Sequence, residues 1–391
     1  MRVLAVGNMY PPHHMGGYEL VWRSAVRHLR SLGHDVRVLT TDYRLPDPAE
    51  PEDPDVHREL RWWWRDHAFP QRPPRERLQI ERHNARVLER HLHDQQTEVV
   101  TWWSMGGMSM SLLERVRRRG LRAVAFVHDD WLDYGPRVDA WLKLFSGPRR
   151  GRLAAPAETL LRLPTRVQFG TAARYVFVSE TTRRRALAAR GPLPDTGIAH
   201  SGIDPSYIDP RPEHPWEWRL LYVGRIDQRK GIATAVDALA QLPQATLTII
   251  GEGDPVADQR LRAQADRLDV TDRVRIEGFR PRAELPAAYE HADVTIFPVI
   301  WEEPWGLVPL ESMALGRPVI ATGRGGSGEY LRHEDNAVLY EAGDADALAA
   351  AVKRLAHDPG LRARLHAGGA KTAPLYTEDD FNAAVAREVE G

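Results

Sequence analysis

The chain has 391 residues, 53 of them basic and 54 acidic, a formal net charge of -1 and no cysteine. The missing cysteine excludes disulfides, thiolate nucleophiles and cysteine-ligated zinc, and the charge balance gives no global attraction to nucleic acid or to an anionic membrane. The length suits two domains, each large enough for its own core.

Lys143, Lys230, Lys353 and Lys371 are the only lysines, so arginine is the default cation and a lysine inside a motif carries information. No apolar run reaches membrane-spanning length. MRVLAVGN is too short for a signal-peptide core and reads as a first buried strand. A cytoplasmic location fits this pattern.

From the N-terminus, a strand is expected over Val3 to Gly7, a loop NMYPPHHMGG, a helix over Tyr18 to Leu32 closed by Gly33, and a strand from Asp35 to Thr40. Gly16 and Gly17 stand just before the helix, where bare backbone lets a phosphate approach the N–H groups; a simple tight turn is the plainer reading. Arg44 to Pro74 breaks the alternation with LPDPAEPEDPD, three consecutive tryptophans and FPQRPP. Its acidic, proline-rich part is expected to be a mobile excursion. Trp62, Trp63 and Trp64 either stack on a ligand ring or line a partner surface, or else seal the core edge, and the sequence leaves these open.

A helix near Glu76 to His93, a strand Glu98 to Trp103, a helix near Met108 to Arg118 and a strand Arg122 to Val127 follow. That strand ends in His128, Asp129 and Asp130, at the edge where open α/β sheets bind ligands. A histidine there can hydrogen-bond a sugar hydroxyl or assist proton movement, although strand-end histidines are commonly structural. The stretch from Trp131 through Tyr134 and Trp141 to Phe169 is less regular, aromatic and arginine-rich. Its segment RGRLAAPAETLLRLPTRV could touch a membrane surface, but a packed helix with outward arginines is preferred.

A strand Arg174 to Ser179, a helix Glu180 to Arg190 and a strand Thr196 to His200 complete the first half. The proline-rich, charged stretch 204–218 is the expected linker. Strands are then expected at Arg219 to Val223, Thr246 to Ile250, Arg273 to Glu277 and Val294 to Pro298, with helices between them, and GEGDP as a turn. Further on come strands at Pro318 to Thr322 and Ala337 to Tyr340 and helices from Asp344, Pro359 and Glu378. The fold class is therefore α/β, two successive doubly wound halves.

The segment FPVIWEEPWGLVPLESMALGRPVIATGRGGSGE, from Phe297 to Glu329, reads as strand, loop, helix and strand. Were the interval wholly helical, Glu303 and Glu311 would lie about 12 Å apart along the axis. That is roughly the reach of a nucleotide sugar from ribose to sugar ring. Backbone N–H groups near Trp305 to Val308 would face the diphosphate between them.

This segment resembles the E-x7-E signature of retaining glycosyltransferases of family 4, which have the GT-B fold, with Glu303 and Glu311 as the two glutamates. YVGRIDQRKG resembles the family's G-R-x-x-x-x-K-G element, HSGID its N-G-V-D turn with Ser201 in place of asparagine, and Gly16–Gly17 its loop after the first strand. The resemblance implies two Rossmann-like domains facing each other across a cleft: an acceptor-side domain 1–203 joined by the C-terminal helix 377–391, the linker 204–218, and a donor domain 219–376. It implies transfer of a sugar from a nucleoside-diphosphate sugar, most readily a UDP-sugar, to a hydroxyl of a small molecule or glycan.

Carried onto this sequence, Arg225 and Lys230 stabilise the leaving diphosphate, Glu303 binds a donor-sugar hydroxyl, and His128 lies beside the donor sugar. Glu311 takes the ribose hydroxyls. Gly16, Gly17, Gly306, Leu307 and Val308 hold diphosphate and sugar, and Arg280 lies in the stretch that grips the base. Trp131, Tyr134 and Trp63 are candidate acceptor contacts. No cofactor and no metal is expected, because GT-B enzymes generally work without one and no D-x-D arrangement is present, so Asp129 and Asp130 read as cleft lining. No nucleic-acid partner is expected, membrane association is not favoured, and oligomeric state is not encoded.

The competing readings are a nucleotide-sugar epimerase or a phosphorylase on the same fold, a nicotinamide dehydrogenase and a non-catalytic sugar-nucleotide-binding subunit. No G-x-G-x-x-G follows the first strand, which disfavours the dehydrogenase. The Arg225, Lys230, Glu303 and Glu311 set favours transfer.

Overall fold

The short aliphatic runs of the sequence are buried on both faces, as strands of a parallel sheet covered by helices must be. The computed structural model describes the chain except for Asp47, Ala49, Asp66, His67 and Asp254 and the side chain of Pro148. Packing divides it into two units, Met1–His200 with Phe381–Gly391, and Ser201–Asp380.

The first unit holds β1 (Arg2–Val6), β2 (Asp35–Thr41), β3 (Val56–Leu60), β4 (Val99–Trp102), β5 (Arg122–Val127), β6 (Arg174–Phe177) and β7 (Thr196–Ile198). Their order is β3-β2-β1-β4-β5-β6-β7, with every pairing parallel. The second unit holds β8 (Arg219–Val223), β9 (Thr246–Ile250), β10 (Val274–Ile276), β11 (Val294–Phe297), β12 (Val319–Ala321) and β13 (Val338–Leu339), ordered β10-β9-β8-β11-β12-β13 and again parallel. Each sheet therefore reverses its winding once, between β1 and β4 in the first and between β8 and β11 in the second.

Two expectations are corrected here. No strand is expected between Arg44 and Pro74, yet Val56–Leu60, just past the acidic, proline-rich part, forms β3, which pairs with β2 from Val38↔Val56 onward. The described acids around it are tied down: Asp53 accepts from the Tyr10 hydroxyl at 3.0 Å and from Arg27, and Glu50 pairs with Arg23 at 2.5 Å. Its residues Asp47, Ala49, Asp66 and His67 lie outside the described residues, as does Asp254 of the GEGDP turn. Proline and acid content hid a five-residue strand whose pattern is only half apolar, because an edge strand needs to bury little.

The expected linker 204–218 belongs instead to the packing of the second unit. Asp209 N–H donates to Ala314 O at 3.1 Å, Arg211 N–H to Leu315 O at 3.2 Å, and Trp216 and Trp218 lie against the core. Two tryptophans in a charged segment find apolar surface to cover.

In the first unit, the Arg122 guanidinium donates to Val389 O at 2.8 Å and Glu388 O at 2.7 Å, capping carbonyls at the end of the helix Glu378–Glu390. Arg174 binds the Glu388 carboxylate at 2.5 and 2.9 Å, and Asn382 donates to Ser24 Oγ at 2.8 Å. These contacts seat Phe381–Gly391 against strands β5 and β6.

Candidate active site

β8 and β11 run side by side, in register Leu220↔Val294 and Leu221↔Thr295, with β9 on the far side of β8. The loops leaving their carboxyl ends occupy the point of reversal, where open α/β sheets bind ligands. The β8 loop carries Arg225 and Lys230, and the β11 loop carries Glu303.

Gly231 brings these loops together. Its φ is +68°, and a Cβ there would lie 2.0 Å from the carbonyl oxygen of Pro298. Only glycine allows both that conformation and that approach. Ile300 N–H donates to Arg229 O at 3.0 Å across the same seam. The Lys230 ammonium consequently reaches both oxygens of Glu303, at 2.8 and 2.9 Å, and the indole N–H of Trp301 donates to Glu303 Oε2 at 2.7 Å.

A second glycine fixes Glu303 from behind. At Gly325 φ is +72° and a Cβ would stand 2.2 Å from Glu303 O, while Gly326 N–H donates to that oxygen at 2.7 Å. Arg229 lies over the Trp301 ring at 4.6 Å and pairs with Asp227 at 2.7 Å; its hydrogen bonds hold the Asp227 carboxyl down at about 2. Arg225 is exposed, its carbonyl accepting from the Tyr222 hydroxyl at 2.8 Å. The loop thus carries the exposed Arg225 together with the Lys230 ammonium already committed to a carboxylate.

The interval from Glu303 to Glu311 runs as loop and then helix, the order read from the sequence, so the 12 Å axial spacing of a wholly helical interval does not apply. The helix is Val308–Ala314, with Pro309 in its first turn and Leu307 as its cap, so Glu303 lies on the loop and Glu311 in the helix. Gly306 has φ +93° and its carbonyl accepts from the Tyr330 hydroxyl. Glu311 is 7% exposed and accepts from the Tyr289 hydroxyl at 2.7 Å. Burial raises its carboxyl above the ordinary range, opposed by the charge of Arg282.

Arg282 is the residue that sequence reasoning missed. It pairs with Glu378 at 3.0 Å and lies over the Tyr207 ring at 5.6 Å, with its charge acting on Glu311. Arg280, chosen from the same GFRPR run, pairs with Glu277 instead. Two arginines spaced i, i+2 were the available signal, and only packing decides which of them faces the helix.

In the first unit, the His128 ring packs against Tyr18 at 4.5 Å and the edge of Phe381 at 5.3 Å, and burial pushes it down to about 3, so it is neutral. Asp129 accepts from the Tyr134 hydroxyl at 2.8 Å and from Trp131 N–H at 3.2 Å, and burial raises its carboxyl to about 6. Asp130 pairs with Arg185 at 2.7 Å. Gly16 and Gly17 open the helix Gly17–Ser31, with the Glu19 carboxylate near Gly16 in its first turn.

The aromatic acceptor platform expected from sequence is corrected. Trp63 is 1% exposed and Trp131 fully buried, so neither offers a face to a ligand. Both seal core, Trp131 among Trp102, Phe177 and their neighbours and Trp63 beside Trp141 and Leu163. Tyr134 is partly exposed, but its hydroxyl is engaged with Asp129.

Two doubly wound parallel units, one with a basic and acidic loop pair at its switch point, define the GT-B architecture. Sucrose-phosphate synthase from Thermosynechococcus elongatus has this fold, with a TM-score of 0.72 over 99% of this chain and 97% of that one at 21% identity. HepE of Anabaena, solved in complex with UDP and glucose, gives 0.70 over 100% and 99% at 19% identity.

Residues 15–222 match the family model described as Glycosyltransferase Family 4, and residues 209–372 that described as Glycosyl transferases group 1. The chain belongs to glycosyltransferase family 4. The lipopolysaccharide core biosynthesis glycosyltransferase LpsD of Rhizobium meliloti (strain 1021) is 35% identical over 153 residues, 39% of this chain and 43% of that protein. The chain spans less than half the length of the first curated relatives it matches. No helix among the described residues is long and apolar enough to cross a membrane.

Proposed function

We propose that this chain is a retaining glycosyltransferase that moves a sugar from a nucleoside-diphosphate sugar, a UDP-sugar foremost, to a hydroxyl of a small molecule or glycan. The observation that carries this reading is the contact of Lys230 with both Glu303 oxygens at the β8–β11 switch point, with exposed Arg225 on the same loop. The complex of HepE with UDP and glucose supports uracil as the base.

In the reaction, the bond from the anomeric carbon to the phosphate oxygen breaks while the acceptor oxygen attacks from the same face. The acceptor proton passes to the leaving phosphate. Arg225 takes two phosphate oxygens through its planar fork, and Lys230 turns part of its charge from Glu303 to the diphosphate as negative charge develops. Glu303, relieved of part of that pairing, accepts a donor-sugar hydroxyl, and Glu311 accepts from the ribose. Backbone from Gly306 to Val308 supports the diphosphate. The scheme asks for orientation and electrostatics, with no side-chain nucleophile and no metal.

Calorimetric titration with UDP, GDP, ADP and dTDP, repeated on Arg225→Ala, tests this. Saturable binding of one nucleotide that the variant loses supports the donor site and names the base; equal binding by both proteins removes Arg225 from it.

A further inference from the structure

The recovered strand β3 carries a feature that the glycosyl-transfer chemistry does not use. Residues i and i+2 of a strand share a face, so His57 and Glu59 point the same way, and the helix Pro74–Asp94 lays His91 over that face. His57 Nδ1 is 3.4 Å from Glu59 Oε1, and His91 Nε2 is 3.3 Å from the same oxygen. One ligand atom from each of the three residues lies within 4.8 Å of the others. The edge of a tetrahedron around zinc with bonds of about 2.1 Å is about 3.4 Å, which both distances match.

The surroundings orient these atoms. His57 Nε2 is 2.7 Å from Asp55 Oδ1, an arrangement that fixes its proton on Nε2 and leaves the Nδ1 lone pair directed at Glu59. Arg90 occupies Glu59 Oε2, so Oε1 is the oxygen left facing the imidazoles. His83 binds the Glu59 carbonyl at 2.8 Å and holds that backbone in place.

We propose that His57 Nδ1, Glu59 Oε1 and His91 Nε2 form a binding site for a divalent cation of zinc type, with water as fourth ligand, clipping edge strand β3 to the helix Pro74–Asp94. Two imidazoles and one carboxylate suit zinc or cobalt over magnesium or calcium, which take oxygen ligands. The site is structural, and the strand it holds has an irregular register with β2 between Thr40 and Thr41.

The test uses the full chain freed of metal with chelator. Titration with zinc by calorimetry should give one saturable site, cobalt should give the intense visible bands of tetrahedral coordination, and zinc should raise the thermal midpoint. His57→Ala, whose side chain is partly exposed, should keep the metal-free circular dichroism of the parent and lose affinity by about 100-fold or more. Asp55→Asn, tolerant of the left-handed φ of 53° at that position, should keep the stoichiometry and weaken binding roughly 10- to 100-fold. An unchanged affinity in His57→Ala overturns the proposal. So does the absence of tetrahedral cobalt bands in the parent protein, a readout independent of whether any variant folds.

Discussion

The Lys230 ammonium lies 2.8 and 2.9 Å from the two carboxylate oxygens of Glu303, joining the loop after β8 to the loop after β11. The residues are 73 apart in sequence, and their side chains are 16% and 12% exposed. An ion pair this enclosed is more than a surface contact, and it occupies the charge that a diphosphate would need.

A double-mutant cycle of Lys230→Met and Glu303→Gln should therefore give a coupling of roughly 1–3 kcal/mol in urea unfolding, and Lys230→Met alone should lower turnover by about 10²–10³-fold. Additive effects on stability together with unchanged turnover would separate this pair from both fold and chemistry.

The two glutamates of the signature should behave differently. Glu311→Ala removes a buried acceptor and should weaken nucleotide affinity about ten- to a hundredfold, as loss of a hydrogen bond to a charged group does. Glu303→Ala should leave free-nucleotide affinity near that of the parent and depress turnover. Calorimetry and steady-state rates on both variants check this, and equal nucleotide affinities for Glu311→Ala and the parent would remove the ribose assignment.

Gly231→Ala should destabilise the second unit by about 2 kcal/mol or more, because a methyl must adopt a left-handed conformation and push against the Pro298 carbonyl. Denaturant unfolding reads the loss. Nucleotide affinity should fall with it, since the same glycine sets the distance between Lys230 and Glu303.

Stability should respond to pH through Asp129 and His128 in opposite senses. The folded carboxyl of Asp129 is raised from 3.8 to about 6, so its favourable contribution is full below pH 3.8 and is lost as pH rises through 6. Asp129→Asn should therefore gain on the parent protein between pH 4 and pH 7. His128 is lowered from 6.5 to about 3, so its contribution is full above pH 6.5 and is lost as pH falls toward 3. His128→Gln should flatten the acid limb. Urea midpoints across pH 3 to 8 measure both slopes.

Turnover should survive chelation. Asp129 and Asp130 are engaged by Tyr134 and Arg185, and the proposed chemistry draws on Arg225 and Lys230 for charge. Chelator should lower the thermal midpoint through the His57, Glu59 and His91 site and leave the rate unchanged; a rate abolished by chelator and restored by metal would overturn the metal-free scheme.

The sequence by itself determined the alternation of strands and helices, because each strand is a local apolar run and each helix a local period. β5, β8 and β9 fall on the residues read from those runs. It also picked out the loop pair proposed as the site, since Arg225, Lys230, Glu303 and Glu311 sit in contiguous segments whose residue order is itself the signal. Tertiary structure alone decided which residues those segments meet. Strand order put the loop of Lys230 beside that of Glu303, core packing buried Trp63 and Trp131, and one of two nearby arginines, Arg282, turned toward Glu311. Edge strand β3 escaped detection for the same reason: with little surface to bury, it carries almost no local pattern, and its place is set by pairing with β2.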